Sequence, residues 1–285
     1  HAAELAAEWE ATFSRFRQTS ELSQLNAHSG ERVQVSPRLL HGVRAALQAR
    51  AATCGLFDPT VLPALLAAGY DRSFEHLADL PRDIDVPQPR LAPLRNAQIE
   101  LSPALRTVRL PAGVMLDLGG IAKGLYADTL AGHLAGWPGG VVSAGGDLRL
   151  WGVPPSGDAW QVGIEDPSDP ARDIALLSVE AGAVATSGDN RRHWQVGGQR
   201  QHHLIDPRTG LPAFSGVRSV TVLAPTAEAA EVVATALFVG GADPVQVARV
   251  RYPFLTALVV LVSGEVEVVA GTIGDGADAS ADIAA

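Results

Sequence analysis

Between Gln201 and Leu211 the chain reads His202-His203-Leu204-Ile205-Asp206-Pro207-Arg208-Thr209-Gly210. Two imidazoles and a carboxylate thus stand just before a Pro/Gly turn, a place where reactive groups are commonly displayed. His203 and Asp206 are candidate proton acceptors there. A surface histidine and an aspartate capping its own turn are the competing readings. A second segment, Asp117-Leu118-Gly119-Gly120-Ile121-Ala122-Lys123-Gly124, sets a carboxylate before a glycine turn, free amides at a helix start and an ammonium within the first turn. That arrangement suits a phosphate-bearing ligand. A tight connection is the simpler alternative.

Two further groups carry chemistry of the same kind. Ala185-Thr186-Ser187-Gly188-Asp189-Asn190-Arg191-Arg192 combines hydroxyls with two guanidinium groups, a pattern suited to a pyrophosphate and equally to a hairpin turn. Glu231 and Thr235 are four residues apart, so a helix places them on one face. Hard oxygen donors favour Mg²⁺ over zinc, and the histidines lack zinc-ligand spacing. A solvated helix face is the ordinary reading of such a pair.

The elements that must hold these groups follow from periodicity. Leu5, Trp9, Phe13 and Phe16 predict an amphipathic helix over 3–17, and Ser36-Pro37 predicts the capped start of a helix that Gly55 closes. Between Leu80 and Pro111 the chain is rich in Pro and Arg and reads as a surface excursion, with short strands near 98–101 and 107–110. Val114 to Asp117 reads as a strand, followed by the glycine turn and a helix over 121–134. Short strands are expected over 141–143, 161–164, 174–179 and 217–223, and a helix over 226–238. The fold class is therefore α+β. The stretch 271–285, small and acidic, reads as a disordered tail.

Composition narrows the function. A net charge of −9 and the absence of Lys/Arg clusters exclude a nucleic-acid surface. The lone Cys54 forbids an internal disulfide and, among alanines, reads as a small buried residue. No run approaches the roughly 20 apolar residues of a membrane helix. The sequence opens on His1 rather than Met, as a processed chain does, so localisation stays open.

Taken in order, these blocks resemble the ApbE family of FAD:protein FMN transferases across nearly the whole chain. The series begins with Ser20-Glu21-Leu22-Ser23 and Leu25-Asn26. It continues with Phe57-Asp58-Pro59-Thr60-Val61, Pro63 and Gly69-Tyr70-Asp71, then with the 117–124 block and Val142-Ser143-Ala144-Gly145-Gly146-Asp147. Residues 185–189, 203–210 and Ala234-Thr235-Ala236 complete it.

The resemblance implies an ApbE-like, T-fold-like arrangement of mixed sheets with flanking helices. It implies one flavin transferase domain over 1–270 and a nucleotide site between two lobes. By the same resemblance Phe16 packs by the flavin ring, and Gly69, Tyr70 and Asp71 line its pocket. Asp117, Lys123 and His203 contact FAD, Ser187 and Gly188 lie near its phosphates, and His203 and Asp206 handle the proton. The Gly120 carbonyl with Glu231 and Thr235 holds Mg²⁺. The implied reaction moves FMN from FAD to a threonine of an acceptor protein, a subunit of a membrane redox complex, and releases AMP. A pyrophosphatase releasing FMN and AMP, and a non-catalytic flavin-binding protein, are the alternatives. The implied location is the cell envelope, outside the cytoplasm, with the cytoplasm as the alternative. Two departures stand out: the family usually has Asp where Glu231 stands, and its opening strand with Met-Gly-Thr has no match before Glu4.

Overall fold

The computed structural model describes residues 2–79, 98–155, 157–196, 198–241, 243–247, 250–271 and 283–284. They form two compact units, one of residues 1–122 with 191–213 and the other of 123–190 with 214–285. The excursion over 80–97 lies outside the described residues. So does most of the expected tail, of which Ile283–Ala284 is described as a short strand paired with Leu176 and Leu177.

The first unit is helical with small sheets. Its opening helix spans Ala2–Phe13, so Phe16 falls just beyond it rather than on its stripe. Ser20 caps the helix Glu21–Ala27 by accepting from the Ser23 N–H, and Ser36 caps Pro37–Ala52 through the Leu39 N–H, both as side-chain oxygens do at helix starts. Arg32–Gln34, Thr107–Arg109 and Glu100–Ser102 make a three-stranded antiparallel sheet, and His193–Val196 pairs with Gln199–His202.

Two expectations fail here for visible reasons. Val114 to Asp117 is not a strand. Asn26 occupies the backbone of Leu116 on both sides, its amide donating to the Leu116 carbonyl at 2.9 Å and its oxygen accepting the Leu116 N–H at 2.8 Å. The Asp117 N–H turns instead to the Pro59 carbonyl. Cys54 is exposed rather than buried, because it sits with φ 51° in the left-handed turn that follows Pro37–Ala52 and its side chain faces outward.

Two of the quoted motifs stand at helix ends. Asp58 caps the short turn Pro59–Val61 from the Thr60 N–H and also pairs with Arg50. Gly69 ends the helix Leu62–Ala67 with φ 88°, its N–H donating to Leu66 and that of Tyr70 to Leu65. This is the paired-bond glycine terminus, which needs a left-handed residue and drives the next side chain inward. Tyr70 accordingly joins a buried cluster with Leu62, Leu65, Trp194 and Ile205.

The second unit is built on a six-stranded antiparallel sheet in the order Val266–Ala270, Thr256–Leu261, Val217–Ala224, Gly182–Gly188, Asp147–Gly152, Gly139–Ala144. Register pairs Val184 with Leu223 and Ala185 with Val222, so alternate residues of both strands face opposite sides. One face, with Leu150, Val184, Leu223 and Leu258, packs against Ile164, Leu177 and Val179 of the antiparallel ribbon Trp160–Asp166 and Asp169–Val179. The other face receives the helix Ala227–Gly240, which is buried along nearly its whole length. Ser187, expected in a loop or hairpin turn, lies instead in the strand Gly182–Gly188 on that helix-facing side.

The helix Ala122–His133 is bound to the start of Ala227–Gly240 by exchanged carboxylate caps. Asp128 accepts the N–H groups of Ala227 and Glu228, both at 2.9 Å, and Glu231 accepts the N–H of Gly124 at 2.9 Å. The contact is close enough that a Cβ on Gly124 would stand 2.5 Å from the Ala227 carbonyl oxygen. Among the described residues no helix is long and apolar enough to cross a membrane. Because Asp128 satisfies two helix-start donors at once, Asp128→Ala is expected to lower stability by about 1–2 kcal/mol in urea denaturation. A loss below about 0.5 kcal/mol would mean that water replaces the cap without cost.

Candidate active site

In the first unit, Arg15 is the centre of a group that sequence reasoning missed. Its guanidinium carbon lies 4.1 Å from the Phe16 ring centroid and 4.3 Å from that of Tyr70, and the two rings are 5.6 Å apart. It donates from Nη1 to the Tyr70 carbonyl at 2.7 Å, and its Nε pairs with Asp117 Oδ2 at 3.1 Å. Asp117 Oδ1 accepts the Gly119 N–H at 2.6 Å, which fixes the glycine turn before the helix. Tyr70 stacks obliquely on Trp194 at 5.1 Å, and the Trp194 indole donates to the Ala68 carbonyl. Burial holds the Tyr70 phenol above its ordinary value of 10, against the pull of Arg192 and Arg15. The structure therefore brings Phe16, Tyr70 and Asp117 together through one buried arginine. Phe16 keeps 41% of its surface exposed, so its ring offers a free apolar face.

Other predicted residues of this unit stand apart from that group. Asp71 is exposed and bonded to Arg72, whose guanidinium holds its carboxyl below the usual range. Asp206 takes the capping role: it accepts the Arg208 N–H at 2.8 Å and grips the Arg208 guanidinium with both oxygens. His202 is almost fully buried and engaged at both ring nitrogens: Nε2 lies 3.1 Å from the Ala213 carbonyl oxygen, and the Leu204 N–H donates to Nδ1 at 3.3 Å. With Nδ1 accepting from Leu204, Nε2 is the ring nitrogen placed to donate to the Ala213 carbonyl. His203 is partly exposed, its Nδ1 3.4 Å from the Arg192 carbonyl. Gly120 lies in the turn that precedes the helix Ala122–His133.

In the second unit Lys123, Asp147 and Glu231 form one cluster. The Lys123 ammonium bonds to Asp147 and to Glu231, while Glu231 Oε2 takes the Gly124 N–H. The Glu231 and Asp147 side chains are 4% and 6% exposed, whereas that of Lys123 is 32% exposed, so the lysine stem is the one part of the cluster that meets solvent. Burial pushes the Glu231 carboxyl up to about 7 although Lys123 pulls it down. Burial opposes the charge on Lys123 too, but Glu231 and Asp147 outweigh it and raise its pKa. Four residues on, Thr235 shares a hydrogen bond of 3.2 Å with Ser187. Glu231 is thus no solvated surface carboxylate. Asp147 opens its strand after the Gly145-Gly146 turn, and its only sequence signal was membership of the 142–147 block.

The donor set here is all oxygen, which fits a hard cation. Among the described residues no three His, Cys, Asp or Glu side chains are grouped to hold a metal, so a cation needs hydroxyl, carbonyl, water or phosphate oxygens as well. Mg²⁺ is commonly held in that way, by one or two carboxylates with water and substrate phosphates.

The described groups are thus an aromatic pair around a buried arginine in the first unit and a carboxylate–lysine–hydroxyl group in the second, on an α+β frame. The structure matches the crystal structure of the ApbE protein of Thermotoga maritima at a TM-score of 0.79 and 31% identity, covering 93% of this chain and 86% of that one. It also matches the flavin transferase ApbE of Vibrio cholerae at 0.76 and 29%, covering 94% and 86%. The ApbE family profile matches residues 1–257. A relative from Vibrio cholerae serotype O1 named FAD:protein FMN transferase is 35% identical over 81% of this chain and 69% of its own length. Another of that name from Treponema pallidum is 33% identical over 93% and 77%. The chain belongs to the ApbE family, and these relatives are transferases.

Arg15 and Asp117 are 7% and 13% exposed at the side chain, so Arg15→Met leaves a nearly buried carboxylate without its cation. A loss of about 3–5 kcal/mol in urea denaturation is expected, partly recovered when Asp117→Asn is added. A single variant as stable as the parent would show that the pair contributes no net stability.

Proposed function

We propose that this chain, a transferase of the ApbE family, moves the FMN half of FAD onto a threonine hydroxyl of an acceptor protein and releases AMP. The observation that carries this reading is the buried Asp147–Glu231 pair clasping the ammonium of one partly exposed lysine, with the Thr235 and Ser187 hydroxyls a helical turn along. Such a group offers a positive charge for phosphate and hard oxygens for a cation. The names of the relatives support the same substrate class.

In the reaction the threonine oxygen bonds to the phosphorus next to riboflavin as the bond from that phosphorus to the AMP oxygen breaks. The leaving AMP carries away the electron pair. The Gly120 carbonyl, Glu231 and Thr235 would hold magnesium, which when bound would supply Lewis-acid neutralisation of the pyrophosphate oxygens. Lys123 adds a positive charge toward the phosphates. His203, with a partly exposed ring anchored at the Arg192 carbonyl, takes the hydroxyl proton. Phe16 gives the flavin ring an apolar face, stiffened from behind by Arg15 and Tyr70. Asp206, committed to Arg208, orients the turn after the histidine rather than exchanging protons. The acceptor is a protein that presents a threonine on an accessible segment, and a flavin-bearing subunit of a membrane redox complex outside the cytoplasm is the proposed partner.

Incubation with FAD, Mg²⁺ and an acceptor peptide is expected to add FMN to the peptide by mass, with one AMP released per FMN transferred. AMP release undiminished without acceptor would identify a pyrophosphatase instead. EDTA is expected to stop transfer and Mg²⁺, but not Zn²⁺, to restore it, because the donors are oxygens. His203→Ala is expected to slow transfer by about 10²–10⁴-fold with FAD affinity unchanged, the signature of a proton acceptor. His202→Ala is expected to reduce stability instead, since it strands the Ala213 carbonyl and the Leu204 N–H. Matched loss of FAD binding in the His203 variant would assign that ring to ligand holding.

A further inference from the structure

Lys123 occupies the position of a counter-ion to Glu231. Its ammonium bonds both Glu231 and Asp147, and the two carboxylates are nearly buried while the lysine is not. Two buried carboxylates need positive charge, because an uncompensated ion in a low-dielectric interior is costly. Without a divalent cation the ammonium meets that need. Both oxygens of Glu231 are already engaged, one by Lys123 and the other by the Gly124 N–H. A cation approaching Glu231 therefore competes with Lys123. The Gly124 bond is made by backbone in a packed helix and does not yield; the lysine side chain, a flexible and partly exposed stem, does.

We propose that Lys123 is a built-in placeholder for the divalent cation, shared in the resting protein by Asp147 and Glu231 and shifted off Glu231 when phosphate draws it outward. Asp147 is then a positioning residue that retains the ammonium after Glu231 has been given up to the metal. This rests on the reading of Glu231 as a magnesium ligand and Lys123 as a phosphate contact. Its consequence is coupling. FAD, by attracting Lys123, uncovers Glu231 for Mg²⁺, and Mg²⁺, by displacing Lys123, frees a positive charge for FAD, so that each ligand tightens the other through one side chain.

Calorimetric titration of the full chain with Mg²⁺, without and with saturating FAD, tests this. Lys123→Met removes the competitor and is expected to bind Mg²⁺ without FAD at least about tenfold more tightly than the parent. FAD is expected to raise its Mg²⁺ affinity by a smaller factor than in the parent. Asp147→Asn leaves Glu231 as the sole partner of the ammonium and is expected to weaken Mg²⁺ binding by about tenfold. Folding is checked by circular dichroism. A folded Lys123→Met protein with unchanged or weaker Mg²⁺ affinity overturns the proposal; if that variant does not fold, unchanged affinity in Asp147→Asn overturns it. Glu231→Gln separates the two levels. If it leaves Mg²⁺ affinity unaltered, the metal assignment falls and the proposal with it; if it weakens binding while Lys123→Met fails to strengthen it, the placeholder alone falls.

Discussion

The second unit depends on an exchange of caps between two helix starts. Asp128 reaches from the Ala122–His133 helix to the first amides of Ala227–Gly240, and Glu231 reaches back to Gly124. Helix starts carry unsatisfied N–H groups and partial positive charge, so a carboxylate at each is favourable twice over. The reciprocity has a steric condition. With a Cβ on Gly124 pushing into Ala227, neither carboxylate keeps its reach. Lys123, the residue before Gly124, is carried by the same geometry to Glu231.

From that crossing the rest of the cluster follows. The late helix packs on the sheet with nearly every residue buried, and the Ser187–Thr235 hydrogen bond marks Thr235 as facing the strand Gly182–Gly188. Sheet register then matters: slipping the pairing of Gly182–Gly188 against Val217–Ala224 by one residue would send Ser187 to the ribbon face. The first unit has its own anchor in Arg15. There a guanidinium is shared by two rings, a carboxylate and a carbonyl, the pattern to which a planar five-donor group is suited.

Much of this was legible in the residues, and the exceptions have physical causes. The helix Pro37–Ala52 announced itself by Ser36-Pro37, because a cap with a first-turn proline is a local signal, and the helix expected over 226–238 is present as Ala227–Gly240. The paired-strand reading of Val114 to Asp117 failed because its partner is a side chain, Asn26, 90 residues distant. Cys54 was misjudged because burial was inferred from its alanine neighbours, whereas a left-handed φ sets its direction. Arg15 and Asp147 escaped for a shared reason. Each acquires meaning only from partners far away in sequence, Tyr70 and Asp117 for the one, Lys123 and Glu231 for the other. Gly69, Asp58 and Asp206 also hold turn and helix-end bonds that the sequence alone does not display, since the same residue types serve more than one purpose.

The departure at Glu231 now has a local explanation. The resemblance leads one to expect an aspartate there, yet this carboxylate must reach across the crossing to the Gly124 amide and still meet the Lys123 ammonium. A glutamate has one more methylene with which to span two helices, and its second oxygen can engage the cation while the first stays tied to backbone. Longer reach and tighter tethering go together: because one oxygen is held by an amide that cannot move without unpacking the helix, the freedom left to the carboxylate lies at the oxygen facing Lys123. Whatever replaces that ammonium must bind at this oxygen, and with Asp147 close by it must be positively charged.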